Sequence, residues 1–368
     1  MNTLLNFGDA PEQREHLWRR LSQRQLVQGD LPVLSVDQNS VSQAWYIRVM
    51  LGFAGWLGAL FLMAFIGIGF SFVMDSAIAS ICIGIALCTL SYVLFRSVKN
   101  QDFLEQFSLA VSLAGQGFFF FGLIKEFRED SITLYAAILV LELLLTICVP
   151  NFIHRFLTSL AAICAAYFLL QRAGIYGQMQ GVLAIAVLAL WWSPRLLRQA
   201  ALWRPVSYAL AIALVCSEGG RFVQPFYWRG TDLTWMKHGW LIGSSLVSIA
   251  LMIAVILVLR REQLAFSSSR AIAALSATVL LCGFSYITPG LSSALLLMLI
   301  AFSFSNRILL GLGLLALLSF LSHYYYQLQV TLLYKSMVLL GLASSLFAIR
   351  WLLLRLFPQA ELVVEEGV

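Results

Sequence analysis

The sequence predicts an all-α fold: a polytopic bundle of about twelve transmembrane helices (10–12), with both termini cytoplasmic. Three observations carry this. Of the 368 residues, 60% are apolar and only 11% charged, against about 45–50% and about 25% in an average soluble domain. From Val49 onward, apolar runs near the length of a membrane-spanning helix alternate with short polar breaks. Lys and Arg gather on one side of that alternation, as in cytoplasmic loops. A mean hydropathy of +0.85 agrees. So few charges cannot clothe a soluble enzyme of this size. Twelve spans of about 20 residues also leave too little chain for a separate catalytic domain.

Residues 1–48 form the one extended polar stretch. It lacks the apolar core and small-residue cleavage site of a signal peptide, so it is expected to stay with the mature chain as a cytoplasmic segment. Asp9, Pro11 and Glu12 resemble a helix start, with Pro at the first helical position and acid in the first turn. Leu17, Trp18 and Leu21 then share one face, giving a short amphipathic helix for the membrane surface or for packing on cytoplasmic loops. Residues 31–40 read as a linker.

The transmembrane domain runs over 49–357, with expected spans at 49–74, 77–95, 103–124, 131–149, 153–170, 179–192, 206–223, 239–259, 271–288, 291–305, 308–326 and 330–357. All must be helices, because lipid offers no partner to an open strand edge. The sixth and tenth are short, which leaves them tilted, re-entrant or outside the count. With the N-terminus inside, 17 of the 24 basic residues lie on the cytoplasmic side. Only Lys125, Arg128, Arg172, Arg221, Arg229 and Lys237 lie outside, and Lys335 falls within a span. The Pro- and Arg-rich break at 193–205 separates two possible halves, 49–192 and 206–357, of the kind a duplicated transporter shows. Residues 358–368 form a short acidic cytoplasmic tail.

Small residues recur at helical spacing: Gly52, Gly55 and Gly58 in the first span, Ser80, Gly84 and Cys88 in the second, Gly341 and Ser345 in the last. They predict close helix contacts. The six cysteines and four histidines show no disulfide framework and no metal-ligand spacing. The net charge of +6 comes from basic residues scattered singly, not from the clustered patch that nucleic acid requires. No cofactor, metal or nucleic-acid partner is expected; the bilayer is the partner. No nucleophile elbow, zinc-protease, Walker or dinucleotide motif occurs where it could work, so the chain is not expected to be an enzyme.

Two stretches carry a family resemblance. The first is Trp45-Tyr46-Ile47-Arg48 followed by Gly52-Phe53-Ala54-Gly55-Trp56-Leu57. The second is Tyr324-Tyr325-Tyr326-Gln327-Leu328 followed by Thr331-Leu332-Leu333-Tyr334-Lys335-Ser336. Together they resemble an uncharacterised family of bacterial polytopic inner membrane proteins, defined as a domain of unknown function. Its members often occur beside a second membrane protein bearing a GDYxxLxY motif. The resemblance implies an inner-membrane address and such a partner; it implies no activity.

Ionisable groups inside spans are costly, about 2.5–3.5 kcal/mol for a central charge on insertion scales, and face a bundle interior or a wet cavity. An inner stripe comprises Glu105, Ser108, Ser112 and Gln116, whose spacing places them on one face of the third span. Glu142 in the fourth span lies about 10 Å from its inner end. Facing that stripe, it is a candidate for proton exchange; the alternative is a protonated acid bonded to a neighbouring helix. An outer group comprises Glu218, Arg221, His323 and Lys335. Glu218 and Arg221 flank Gly219-Gly220, which suggests an unwound helix of the transporter kind; the alternative is an ion pair that locks the bundle, with Lys335 snorkelling to the interface. Trp228 and Trp235 in the long outer loop serve as an interfacial anchor or hold a ligand. The leading expectation is a transporter-like protein that moves a small or amphiphilic solute. The alternative is a non-enzymatic subunit or scaffold of an envelope membrane complex; a membrane transferase ranks third.

Overall fold

In a computed structural model of the protein, the described residues are 18, 22, 45–69, 75–97, 102–127, 131–173, 175, 177–227, 233–327 and scattered positions from 333 to 351. Most of the expected N-terminal amphipathic helix, most of the twelfth span with Lys335, and the acidic tail lie outside them. The chain divides into two units, Met1–Leu51 and Gly52–Val368. The second contains the helical bundle.

Among the described residues the elements are all helical. They are α1 (Trp45–Gly69), α2 (Ala77–Ser97), α3 (Asp102–Glu126), α4 (Ile132–Cys148), α5 (Phe152–Arg172), α6 (Met179–Trp191), the single turn α7 (Arg195–Arg198), α8 (Ala200–Tyr227), α9 (Leu233–Arg261), α10 (Ser269–Ile287), α11 (Leu291–Ser303) and α12 (Arg307–Gln327). Six of them, α2, α3, α5, α8, α9 and α10, contain stretches long and apolar enough to cross a membrane. The surface fits that solvent. Ile68 is 85% exposed and Phe302 80%, amid many other outward Leu, Ile and Phe side chains. A water-soluble monomer rarely tolerates such an apolar surface. The protein is a membrane helical bundle.

Local chemistry sets the helix ends. Ser131 caps α4 by accepting from the Thr133 amide, and Asn151 caps α5 by accepting from the His154 amide at 3.0 Å. Pro150 between them forbids helix at Val149, so α4 and α5 form a tight hairpin. Ser268 caps α10 in the same way. Before α11, Gly290 adopts φ +86°, and a Cβ there would lie 2.4 Å from the Phe320 ring. Both the left-handed backbone and the packing therefore require glycine.

The helices α6 and α11, each 13 residues long, measure about 20 Å, less than the hydrocarbon thickness of about 30 Å. Both are largely buried. They stand at the centre of the main apolar core, where Leu183, Val187, Leu214, Ala250, Leu296 and Ile300 meet from α6, α8, α9 and α11. Elsewhere, α2 and α3 approach backbone to backbone. A Cβ on Gly84 would lie 2.6 Å from the Phe119 nitrogen and 2.7 Å from the Gly115 oxygen. That close approach follows the Ser80–Gly84–Cys88 face, all three members of which are buried.

One expectation is corrected. Gly219-Gly220 does not unwind a helix: α8 runs unbroken through both residues, and nothing lies within 4 Å of a Cβ built on either. The break at 193–205 is itself mostly helical, formed by α7 and the start of α8. Pro205 sits inside α8 and cannot donate to the Ala201 carbonyl four residues back. Arg155 of α5 supplies the missing donor, its Nη1 lying 2.9 Å from that oxygen. The same guanidinium donates to the Thr146 carbonyl at 3.1 Å and the Ile147 carbonyl at 3.4 Å. These are last-turn acceptors of α4 that lack an intrahelical donor.

Candidate functional site

A polar cluster lies where α2, α3, α4 and α5 meet. The third-span face places Ser112 and Gln116 inward, and the Gln116 amide donates to the Ser112 hydroxyl at 3.2 Å. Ser112 Oγ lies 2.7 Å from His154 Nε2, reached across 42 residues of sequence. Phe95 of α2 covers the imidazole edge-on, at 5.6 Å between ring centroids. Thr146 and Thr158, on the facing sides of the α4–α5 hairpin, bond to each other at 2.9 Å. Thr158 donates to the His154 carbonyl, and Thr146 shares its one hydroxyl proton between Thr158 and the Glu142 carbonyl. The hairpin thus holds Glu142 and His154 at fixed positions on adjacent helices.

Both titratable side chains are 0% exposed. Among the described residues, neither carboxyl oxygen of Glu142 has a hydrogen-bond partner, and His154 Nδ1 has none either. An unsatisfied buried polar group costs about 1–3 kcal/mol, so the bundle retains these atoms against its own stability. Chemically, the cluster offers a carboxyl and an imidazole able to exchange protons, with hydroxyl and amide groups close at hand.

Beside the cluster, two adjoining cavities run between helices. The larger, about 380 Å³, lies among α4, α5, α6 and α8; Thr146 and Ser159 are its polar lining residues. The second, about 260 Å³, lies among α5, α6 and α8 and is lined by Cys164, Cys216 and Ser217 as well as apolar side chains. Ile163, Met179 and Leu183 border both. Along α8 the combined lining extends from Leu202 to Gly220, about 27 Å at 1.5 Å per residue, close to the hydrocarbon thickness of a bilayer. Leu143, Ile147 and Val182 are both lining and exposed, so the larger cavity is a groove open to the bundle surface. Thr146 belongs to the groove and to the polar cluster alike.

The residues singled out in the sequence fall differently. Ser112, Gln116 and Glu142 lie at the α2–α5 junction, with Ser108 buried below them. Glu105 is half-buried near the start of α3, one turn from Ser108. Glu218, 3% exposed, accepts from the Ser293 hydroxyl at 2.7 Å, which ties α8 to the N-terminal turn of α11. His323 is half-buried on α12, one turn beyond Phe320, whose ring packs with Val215 and Ala294. The Arg221 side chain, Lys335, Trp228 and the side chain of Trp235 lie outside the described residues. Sequence reasoning missed His154, Thr158 and Arg155. One signal was present: Glu142 and Thr146, then His154 and Thr158, repeat a four-residue spacing on either side of Val149-Pro150-Asn151. Among the described residues, no group of three His, Cys, Asp or Glu side chains is placed to hold a metal ion.

Comparison with known proteins returns one family. No curated protein and no solved structure matches the chain. A family model described as a domain of unknown function, DUF4401, matches residues 44–356. That range takes in all of α1 through α12, along with the polar cluster and both cavities. The chain belongs to the DUF4401 family of proteins with a domain of unknown function.

Proposed function

We propose that this protein is transporter-like: it moves a small or amphiphilic solute along the α8 groove, and Glu142 and His154 exchange the protons that accompany the movement. The observation that carries the reading is the fully buried Glu142 carboxyl, both of whose oxygens lack a partner among the described residues. A Leu or Met of similar volume would pack there without that cost. Ionisable groups retained inside membrane bundles mark ion or proton pathways. Thr146 relates the pair to the groove by position: it lies one helical turn after Glu142 on α4, bonds to Thr158 one turn after His154 on α5, and lines the cavity.

The reading places the protein in the bacterial inner membrane with both ends cytoplasmic. The bias of 17 basic residues on one side against 6 on the other supports that orientation. A second membrane protein of the GDYxxLxY type is its proposed partner, on the strength of the resemblance. The test uses proteoliposomes that enclose a pH-sensitive dye and are challenged with a pH gradient and a panel of amphiphilic anions and cations. Wild type is expected to give solute-dependent proton flux, and Glu142→Gln to abolish it at equal reconstitution. Flux in Glu142→Gln equal to wild type would refute the proton role. Stoichiometric co-purification of a partner without any flux would favour a scaffold subunit instead.

A further inference from the structure

The second cavity collects sulfur. Cys164 of α5, Met179 at the start of α6 and Cys216 of α8 all line its volume of about 260 Å³. Both cysteines are free and exposed, and their thiols lie close enough for each to feel the other's charge. Met179 is buried and borders both this cavity and the adjoining groove. Among the described residues, no carboxylate or imidazole lines the cavity, and its side-chain oxygens are those of Tyr167 and Ser217. The cavity reaches Gly220, where the apolar span of α8 ends. Cys216 lies one turn before that point, about 6 Å along the axis. The sulfurs are therefore approached from one membrane face without crossing the whole hydrocarbon layer.

The donor set selects its ligand. Thiols and thioethers are soft donors that favour copper(I), whereas magnesium, calcium and manganese take oxygen. Zinc also takes thiolates, but it closes a structural site with four ligands, more than the cysteines of this cavity supply. An apolar organic solute would suit the walls anywhere along the groove and gives no reason for three helices to bring sulfur to one cavity. We infer that the cavity binds a soft monovalent metal ion of the copper(I) class through Cys164, Cys216 and Met179. Binding forms a metal–sulfur bond at one thiol in place of its S–H bond, and that proton leaves to water. The second thiol and the thioether each donate a lone pair, and no electron changes hands. One thiolate balances one positive charge, so the bound ion is neutral overall, as an apolar cavity requires. Glu142 and His154 do not line this cavity, and the site does not rest on the proton role given to them.

The test offers copper(I) to the full chain in mild detergent, without oxygen, in competition with a coloured copper(I) chelator. Wild type is expected to take one equivalent from the chelator, read as loss of its visible absorbance. Cys164→Ser and Cys216→Ser should each lose that equivalent, and Met179→Leu should weaken it. Cys82→Ser, exposed on α2, should keep it. Zinc offered in the same way should not be held. X-ray absorption at the copper edge of the loaded wild type should show sulfur alone around the metal, which tests the donor set even where a variant fails to fold. Copper retained by a folded Cys164→Ser/Cys216→Ser double variant would overturn the inference, as would nitrogen or oxygen bound to the metal. Wild type that leaves the chelator's colour unchanged would overturn it too, whether the two thiols are free or joined in a disulfide.

Discussion

Arg155 and Pro205 give a prediction whose size follows from geometry. Arg155→Met removes two short hydrogen bonds, at 2.9 and 3.1 Å, and a longer one at 3.4 Å. The site is only half-buried, so each short bond contributes about 1 kcal/mol net. The positive charge at the C-terminal end of α4 adds about 0.3–1 kcal/mol through the helix dipole. The substitution should therefore destabilise the bundle by about 2–3 kcal/mol. The partner change is Pro205→Ala, which returns an N–H to position 205 and lets the Ala201 carbonyl bond within α8. In that background Arg155 has one acceptor fewer to rescue, and Arg155→Met should cost about 1 kcal/mol less. Reversible unfolding in mixed micelles, followed by far-UV circular dichroism on the four proteins of the cycle, measures the difference. Additivity within about 0.3–0.5 kcal/mol would refute the idea that Arg155 replaces the donor that Pro205 lacks. So would a cost below about 0.5 kcal/mol for Arg155→Met alone.

Two further predictions separate packing from function. Glu142→Met removes two orphaned oxygens and should raise stability by about 1–3 kcal/mol while abolishing proton flux; a loss of stability in the same unfolding assay would show that the carboxyl is satisfied. Gly84→Ala drives a Cβ onto the backbone of Phe119 and Gly115 and should cost about 1–3 kcal/mol. Gly219→Ala, with open space around it, should stabilise α8 by about 0.5–1 kcal/mol; similar effects at the two glycines would contradict the α2–α3 close approach.

Much of the bundle is legible in the sequence because lipid makes length and hydropathy decisive. Helices α2 and α3 lie where the runs 77–95 and 103–124 predict them. The face shared by Ser112 and Gln116 follows from helical periodicity, which is local. What could not be read depends on partners remote in sequence. The start of α8 looks like a loop because Pro205 and its neighbouring arginines signal a break; the compensating donor comes from Arg155, 46 residues before Ala201. His154 reads as one isolated histidine until the fold sets its ring against Ser112. Gly219-Gly220 misleads in the opposite direction: low helix propensity there yields to the continuity of a long, otherwise apolar helix.

The brevity of α6 and α11 bears on how the protein is made. A segment of 13 apolar residues is too short to hold a transmembrane position unaided. When α11 emerges, α6, α8 and α9 have already been synthesised, and it enters a cleft that awaits it. The helix α6 has no such reception, because α8 and α9, which pack around it in the core, are translated later. Stable insertion of α6 therefore waits on synthesis of the second half of the chain. A truncated product ending near residue 200 would leave α6 without its neighbours, exposed to membrane quality control.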